Sequence, residues 1–385
     1  MSATMKTILD LSHQQMILDL DNHLSSSVPA PQPTPTEPTG VTGVGSSPAY
    51  IINEKESETV MKLEDIGFYT LSDERARTAN DRSPLQRCEL IITDRCNFKC
   101  PYCRGLREDL RGSISREDGL AVLKQWCDDG LVNVRFSGGE PTLHPDLIEF
   151  VEFCVERGAR VAISTNGSAP IKMYDRLLNA GVTDFSISLD AGCCAIGIKM
   201  MGLNKKAQKT WDHTTKVIRY LSTKTYVTTG MVFNELNVKE AKSAVLMAHD
   251  LGVADIRIIS SAQYNGALTE LSALPEEVTN KHPILKYRID NCRNGVSVRG
   301  IPFDGSNMCR LVLDDMAVAG GLHFPCIIYM REGGQAIGTM GPNYRRERSE
   351  WFKQHRPKRD SICSQNCLDV CIDYNRRVDG FTKFQ

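Results

Sequence analysis

Cys96, Cys100 and Cys103 fall in the run Thr93-Asp94-Arg95-Cys96-Asn97-Phe98-Lys99-Cys100-Pro101-Tyr102-Cys103, a spacing that lets one short loop offer three thiolates to a single metal cluster. Three ligands on a four-iron cube leave one iron open, and an open iron can bind a substrate or cofactor. A fully ligated four-cysteine centre, whether an electron carrier or a structural zinc, cannot. Structural zinc or disulfides also use clustered cysteines, but zinc lacks a fourth nearby ligand in this run. The next apolar run ends in Ser137-Gly138-Gly139-Glu140-Pro141. Gly138 and Gly139 have no β-carbon, so a backbone edge there can approach a ligand closely, and Glu140 adds an anion that could accept from an ammonium.

Cys-x3-Cys-x2-Cys followed by that Gly-Gly-Glu resembles the radical S-adenosylmethionine (radical SAM) superfamily. The resemblance implies a site-differentiated [4Fe-4S] cluster on Cys96, Cys100 and Cys103, with its open iron chelated by the amino and carboxyl groups of S-adenosyl-L-methionine. It also implies that Tyr102 lies by the adenine and that the Gly138, Gly139 and Glu140 edge meets the amino group. Ser164-Thr165-Asn166-Gly167 and Ser186-Ile187-Ser188-Leu189-Asp190 resemble strand ends that contact the ribose and the methionine carboxylate in this superfamily, which singles out Ser164, Asn166, Ser188 and Asp190. Strand ends of this kind also occur simply to make turns.

The reaction implied is one-electron cleavage of S-adenosylmethionine to a 5′-deoxyadenosyl radical that abstracts a hydrogen from a small molecule or a peptide. An electron donor such as flavodoxin or ferredoxin is the implied partner, and the barrel positions the radical and excludes water. An iron–sulfur electron-transfer or sensing protein on the same scaffold is the alternative; it would show no S-adenosylmethionine-dependent change in its cluster spectrum.

A second constellation follows. Cys309-x11-Gly321-x4-Cys326 resembles the opening of the SPASM and twitch extensions, and Cys363-x3-Cys367-x3-Cys371 comes later. The resemblance implies one auxiliary [4Fe-4S] cluster on Cys309, Cys326 and two of Cys363, Cys367 and Cys371, since five cysteines are too few for two fully ligated clusters. A structural zinc site is the competing reading. Within the superfamily the chain looks most like the branch joining the molybdenum-cofactor cyclase to SPASM and twitch enzymes, although it lacks that cyclase's Gly-Gly C-terminus and Cys-x2-Cys-x13-Cys tail. Cys193 and Cys194 follow Asp190 and could face a substrate, whereas Cys127 and Cys154 read as core packing. The basic run from Tyr344 to Asp360 reads as a solvated helix face tethering the cysteine tail, with anion docking as the alternative.

These residues need strands to carry them. From Cys88 onward, short β-branched runs alternate with helical periods, the pattern of βα units around a parallel sheet. Strands are predicted at Glu89–Thr93, Asn133–Ser137, Arg160–Thr165, Asp184–Leu189, Tyr226–Phe233 and Asp255–Ser260. Helices are predicted at Arg116–Asp128, Pro145–Arg157, Ile171–Asn179, Lys206–Leu221 and Val238–Leu251. The fold expected is α/β, a partial (β/α)6 TIM-like barrel with a small C-terminal cysteine-rich SPASM/twitch-like extension. Every motif then falls at a C-terminal strand end, where parallel barrels place their chemistry.

The expected organisation is a largely disordered arm and lead-in over 1–85, a radical SAM core over 86–265 and an auxiliary-cluster extension over 266–385. Within the arm, Met1–Leu24 reads as a short amphipathic helix at most. Ser25–Pro48, with six prolines among Ser, Thr and Gly, cannot bury enough apolar surface to offset ordering entropy. A net charge of −1 over 385 residues argues against bulk attraction to nucleic acid or an anionic membrane. Without a signal peptide or a span of about 18 apolar residues, the expected setting is a reducing cytoplasm, where the fourteen cysteines persist as thiols or metal ligands.

Overall fold

The structure is a computed structural model that describes residues 71–204, 207–260 and 266–382. The expected amphipathic helix, the proline-rich arm and the first residue of the helix from Lys206 lie outside the described residues. Six strands, β1 (Arg87–Thr93), β2 (Asn133–Gly138), β3 (Arg160–Thr165), β4 (Asp184–Ser188), β5 (Tyr226–Phe233) and β6 (Asp255–Ser260), pair in sequence order, each parallel to the next. This is the expected partial barrel. β3, β5 and β6 fall on their predicted bounds, as do helices Arg116–Asp128 and Ile171–Asn179.

Alternation along the strands explains the layering. Leu90, Ile92, Val134, Phe136, Val161, Ile163, Phe185 and Ile187 are buried on one face, under the helices, in a core with Trp126, Phe150 and Leu177. Each such side chain contributes about 1.5–3 kcal/mol when fully buried. The alternate positions point the other way and are largely polar. Ser115 caps helix Arg116–Asp128, its Oγ accepting from Asp118 N at 3.0 Å and donating to Asp118 Oδ2 at 2.8 Å, a contribution of about 1 kcal/mol.

β1, β2, β4 and the helix Gln208–Ser222 differ from their expected bounds by one or two residues, and three helical elements differ in other ways. The helix after β2 starts at Leu147 rather than Pro145, because Asp146 N–H is taken by His144 Nδ1. The helix after β5 is α-helical only over Ala241–Asp250, after a 3-10 turn, Val238–Glu240. Asn237 fixes that entry by donating to Asp190 O at 2.7 Å and to Val232 O at 2.9 Å. An unpredicted helix, Cys194–Met200, follows β4; it packs so closely that a β-carbon on Gly197 would lie 2.0 Å from the Trp211 ring.

The C-terminal extension continues the sheet. β7 (Asp315–Ala319) pairs parallel to β1, then β8 (Leu322–Phe324) and β9 (Gly338–Thr339) follow antiparallel, giving the order β6-β5-β4-β3-β2-β1-β7-β8-β9. Buried ion pairs lock the junction: Arg75 binds Asp314 at 2.6 Å and Asp315 at 2.7 Å, while Arg87 binds Asp315 at 2.6 Å. The basic run from Tyr344 forms helix Tyr344–Gln354, and its charges serve the extension. Arg348, 1 % exposed, donates to Val312 O and Phe324 O, and Arg345 donates to Leu313 O and Ser83 O.

Candidate active site

The cysteine loop leaves β1 and is pinned at several points. Phe98 is buried in the core, Lys99 N–H donates to Met201 O at 3.0 Å, and Cys103 N–H donates to Cys100 O at 3.0 Å. Gly202 makes the Lys99 contact: it has φ +67°, and a β-carbon on it would lie 1.8 Å from Lys99 O. Cys96 and Cys103 are exposed and Cys100 is half-buried. Burial pushes the Cys100 thiol up to about 12, with the Asp190 charge adding to the shift, and burial raises Cys96 as well. As thiolates the three would repel, since the Cys103 charge adds to the rise at both neighbours. A cationic iron centre would offset that repulsion, and three thiols on one short loop are the donor set it takes.

The glycine pair packs against the chain that enters the cysteine loop. A β-carbon on Gly138, which has φ +149°, would lie 2.2 Å from Thr93 O; one on Gly139 would lie 2.2 Å from Arg95 O. The space left by the missing side chains is therefore filled by the backbone that enters the cysteine loop. Gly139 N–H donates to Thr93 O and Glu140 N–H to Arg95 O, both at 2.7 Å. The space a side chain would take at both positions is thus filled by the chain itself.

Glu140 is bonded into the same rim. It is 0 % exposed, and its Oε1 accepts from Thr142 N, Thr142 Oγ1 and Thr165 Oγ1 at 3.1, 2.6 and 2.8 Å, while Oε2 accepts from Asn166 N at 2.7 Å. These bonds oppose the upward pull of burial on its carboxyl. The carboxylate stitches the ends of β2 and β3 together. Asn166 carries the stitch to the metal loop: its Nδ2 donates to Asn97 Oδ1 at 2.8 Å and lies 3.8 Å from Cys96 Sγ.

Tyr102 and Asp190, assigned to separate parts of a cofactor from sequence, hold each other. Tyr102 O–H donates to Asp190 Oδ2 at 2.6 Å, and Asp190 Oδ1 accepts from Val232 N at 2.7 Å. Burial raises the Asp190 carboxyl to about 6 against the pull of these two bonds. Ser164 is half-buried and Ser188 exposed at their strand ends. Thr142, Thr165 and Asn97 complete the network; sequence reasoning passed over them because they act through Glu140 and Asn166. Arg331, on the extension helix Ile327–Arg331, also escaped notice: it donates to Gly105 O at 2.9 Å and Gly138 O at 3.2 Å, bridging the cysteine loop and the glycine edge.

The five distal cysteines come together. Cys309, Cys326, Cys363, Cys367 and Cys371 line one largely apolar cavity. Burial and the neighbouring thiols push Cys309 up to about 12, and burial takes Cys326 to about 11. A Cys367–Cys371 hydrogen bond raises the first and lowers the second to about 7. Half-buried thiols lining one cavity fit a thiophilic centre. His355 stands beside them, its Nε2 3.5 Å from Cys363 Sγ and its ring stacked on Trp351 at 3.8 Å. Sequence reasoning missed it, because a lone histidine outside the cysteine spacing carries no signal. Cys194 does not face the site freely: its thiol donates to Gln208 Oε1 at 2.8 Å.

Residues 90–248 match the family described as the Radical SAM superfamily. The chain is 27 % identical over 186 residues to the PqqA peptide cyclase of Methylorubrum populi, covering 48 % of each protein. It is 38 % identical over 108 residues to the GTP 3′,8-cyclase of Aliarcobacter butzleri, covering 26 % of this chain and 32 % of that one. The matched stretch thus spans about half or less of these curated relatives. Streptococcus suis SuiB bound to the precursor peptide SuiA shares the fold, with a TM-score of 0.52 and 16 % identity over 75 % of this chain and 76 % of that one. Carrying the three-cysteine loop, the Gly-Gly-Glu edge and the polar ends of β3 and β4 on one rim, residues 90–248 are a radical SAM domain.

Proposed function

We propose that this protein is a radical SAM enzyme acting on a peptide or a small molecule, with an electron supplied by a flavodoxin- or ferredoxin-like donor in a reducing cytoplasm. The observation that carries the reading is the joining of the cysteine loop, the glycine edge and Asn166 into one hydrogen-bonded unit at the strand C-termini. Cys96, Cys100 and Cys103 would hold the [4Fe-4S] cluster, and the strand ends carrying Ser164, Asn166 and Ser188 would border bound S-adenosylmethionine. The chemistry that pair supplies when bound is one-electron cleavage of the sulfonium and hydrogen abstraction from a substrate.

The chain's own contribution is order. Glu140 fixes the distance between the two rims, Asp190 holds the Tyr102 ring in place, and the backbone contact at Gly139 sets where the cysteine loop starts. Cys309, Cys326 and two of Cys363, Cys367 and Cys371 would hold an auxiliary cluster in the second cavity. By boundary, the reading assigns 86–265 to the radical SAM core and 266–385 to the auxiliary-cluster extension. A peptide substrate is supported by a relative named PqqA peptide cyclase, a small molecule by one named GTP 3′,8-cyclase. Among the described residues no helix is long and apolar enough to cross a membrane.

The test is anaerobic reconstitution of the full chain followed by measurement of 5′-deoxyadenosine with dithionite and S-adenosylmethionine. Wild type should form it and the Cys96/Cys100/Cys103→Ala variant should not. Equal formation in both would overturn the assignment.

A further inference from the structure

The five distal cysteines around one cavity are one more than a four-iron cube takes. Their surroundings divide them. Cys367 bonds to Cys371 and feels the charges of Cys309 and Cys326, so these four have one another as neighbours. Cys363 feels Cys309 and Cys326 too, but its side-chain hydrogen bonds are to His355 and Asp360.

His355 follows helix Tyr344–Gln354, and Asp360 caps helix Ser361–Asn366, whose third residue is Cys363. An imidazole nitrogen, a carboxylate oxygen and a sulfur from these residues all lie within 4.8 Å of one another, and all three residues are half-buried.

The donors are held from outside. The His355 ring stacks on Trp351 at 3.8 Å and meets the Tyr329 ring edge-on at 6.0 Å. Asp360 Oδ1 accepts from Ile362 N at 2.9 Å and Cys363 N at 2.7 Å, and Oδ2 accepts from Tyr329 Oη at 3.2 Å. Outer contacts of this kind orient ligands for a metal. The three bonds use three of the roughly four lone-pair sites of a carboxylate, and the Cys363 thiol takes another. An ion that displaces the thiol proton would stand in its place. Thiolate and carboxylate together then carry two negative charges, which a divalent cation neutralises.

The separations also suit a single ion. Sulfur at about 2.3 Å and nitrogen at about 2.0–2.1 Å from a tetrahedral centre stand about 3.5 Å apart. His355 Nε2 and Cys363 Sγ are 3.5 Å apart. Two ligands of one cube sit on different irons and stand further apart than that.

We propose that His355, Asp360 and Cys363 bind one divalent transition-metal ion of borderline softness, in a mononuclear site separate from the two clusters proposed above. Three protein ligands leave a fourth position for water. The ion clips the turn between helices Tyr344–Gln354 and Ser361–Asn366, and Cys309, Cys326, Cys367 and Cys371 remain for the cube. That division of the cysteines rests on the auxiliary cluster of the proposed function; the ion site does not.

The test uses the full chain, reconstituted with iron and sulfide, washed with EDTA and titrated anaerobically with Co²⁺. Co²⁺ should bind saturably at one per chain without displacing iron, and absorption at the cobalt edge should show one sulfur among nitrogen and oxygen ligands. His355→Phe, which keeps a ring against Trp351, should weaken binding at least about tenfold. If that variant fails to fold, Asp360→Asn, which keeps a helix cap, should weaken binding in the same direction. Cys363→Ser should lose the cobalt–sulfur signal and keep about eight irons. Absence of saturable Co²⁺ binding, cobalt without a sulfur ligand, wild-type affinity in a folded His355→Phe, or loss of about four irons in Cys363→Ser would overturn the site. His355-dependent Co²⁺ binding in a wild-type protein that holds only about four irons would sink the auxiliary cluster and leave the ion site standing.

Discussion

Gly139→Ala discriminates sharply between two roles for the glycine edge. The new β-carbon would lie 2.2 Å from Arg95 O and 2.6 Å from Asp94 O, both backbone atoms. Ordinary contact begins at 3.4 Å, so Arg95 O must retreat by 3.4 − 2.2 = 1.2 Å. That movement breaks the bond from Glu140 N–H to Arg95 O, 2.7 Å, which ties the end of β2 to the start of the cysteine loop. One lost hydrogen bond at about 1 kcal/mol and overpacking of about 1–3 kcal/mol give a destabilisation of about 2–4 kcal/mol. A protein with about 5–15 kcal/mol of stability still folds after such a loss, with a melting temperature lowered on the order of 10 °C. Because Cys96 follows Arg95 directly, the iron site should suffer first. We expect iron and sulfide after reconstitution to fall from about eight to about four per chain, the distal centre being spared. The checks are iron and sulfide analysis, a thermal melt and calorimetry with S-adenosylmethionine. Wild-type iron and melting with S-adenosylmethionine affinity lost would refute the reasoning, because the glycine would then be serving the ligand.

Four further outcomes follow from the same geometry. Replacing Cys96, Cys100 and Cys103 by Ala should remove about four irons per chain. Cys309→Ala with Cys326→Ala should remove the other four while 5′-deoxyadenosine formation without substrate persists; zinc in the purified protein would count against an auxiliary iron centre. Tyr102→Phe strips a buried carboxylate of its donor and should cost about 1–3 kcal/mol in a urea titration. Asp255, 0 % exposed, has its carboxyl raised by burial from 3.8 to about 7. The folded chain therefore holds that proton more tightly than the unfolded one, and stability falls as pH rises from about 4 to about 7, by about 4 kcal/mol at most. Asp255→Asn should lose that decline relative to wild type; identical pH profiles would refute it.

The strands and their order were legible because β-branched runs separated by helical periods leave few topologies, and each motif then fell at a strand end. The placing of Cys96, Cys100 and Cys103 on one loop at the end of β1 was legible because their spacing is local. The role of Gly139 was not: the atom that forbids a side chain there, Arg95 O, belongs to another strand's exit. Glu140 and Asp190 were recognised as special, but their protein partners were not foreseen, since a buried carboxylate and an exposed one look alike in a sequence. The distal cysteines were grouped by number and spacing, while His355 beside Cys363 depends on how helix Tyr344–Gln354 turns back, which no spacing encodes.

The parallel pairing of β7 with β1 bears on how this protein can be cut and recombined. β1 lies between β2 and β7, so its two edges are satisfied by segments from opposite ends of the described chain. A fragment ending near residue 260 would expose the outer edge of the very strand that delivers the metal loop, with its amide and carbonyl groups unpaired and open to another chain. It would also strip Arg75 and Arg87 of the carboxylates they bind. The radical SAM domain is thus not a detachable cassette: grafting it onto another extension requires a donor that brings its own strand to that edge.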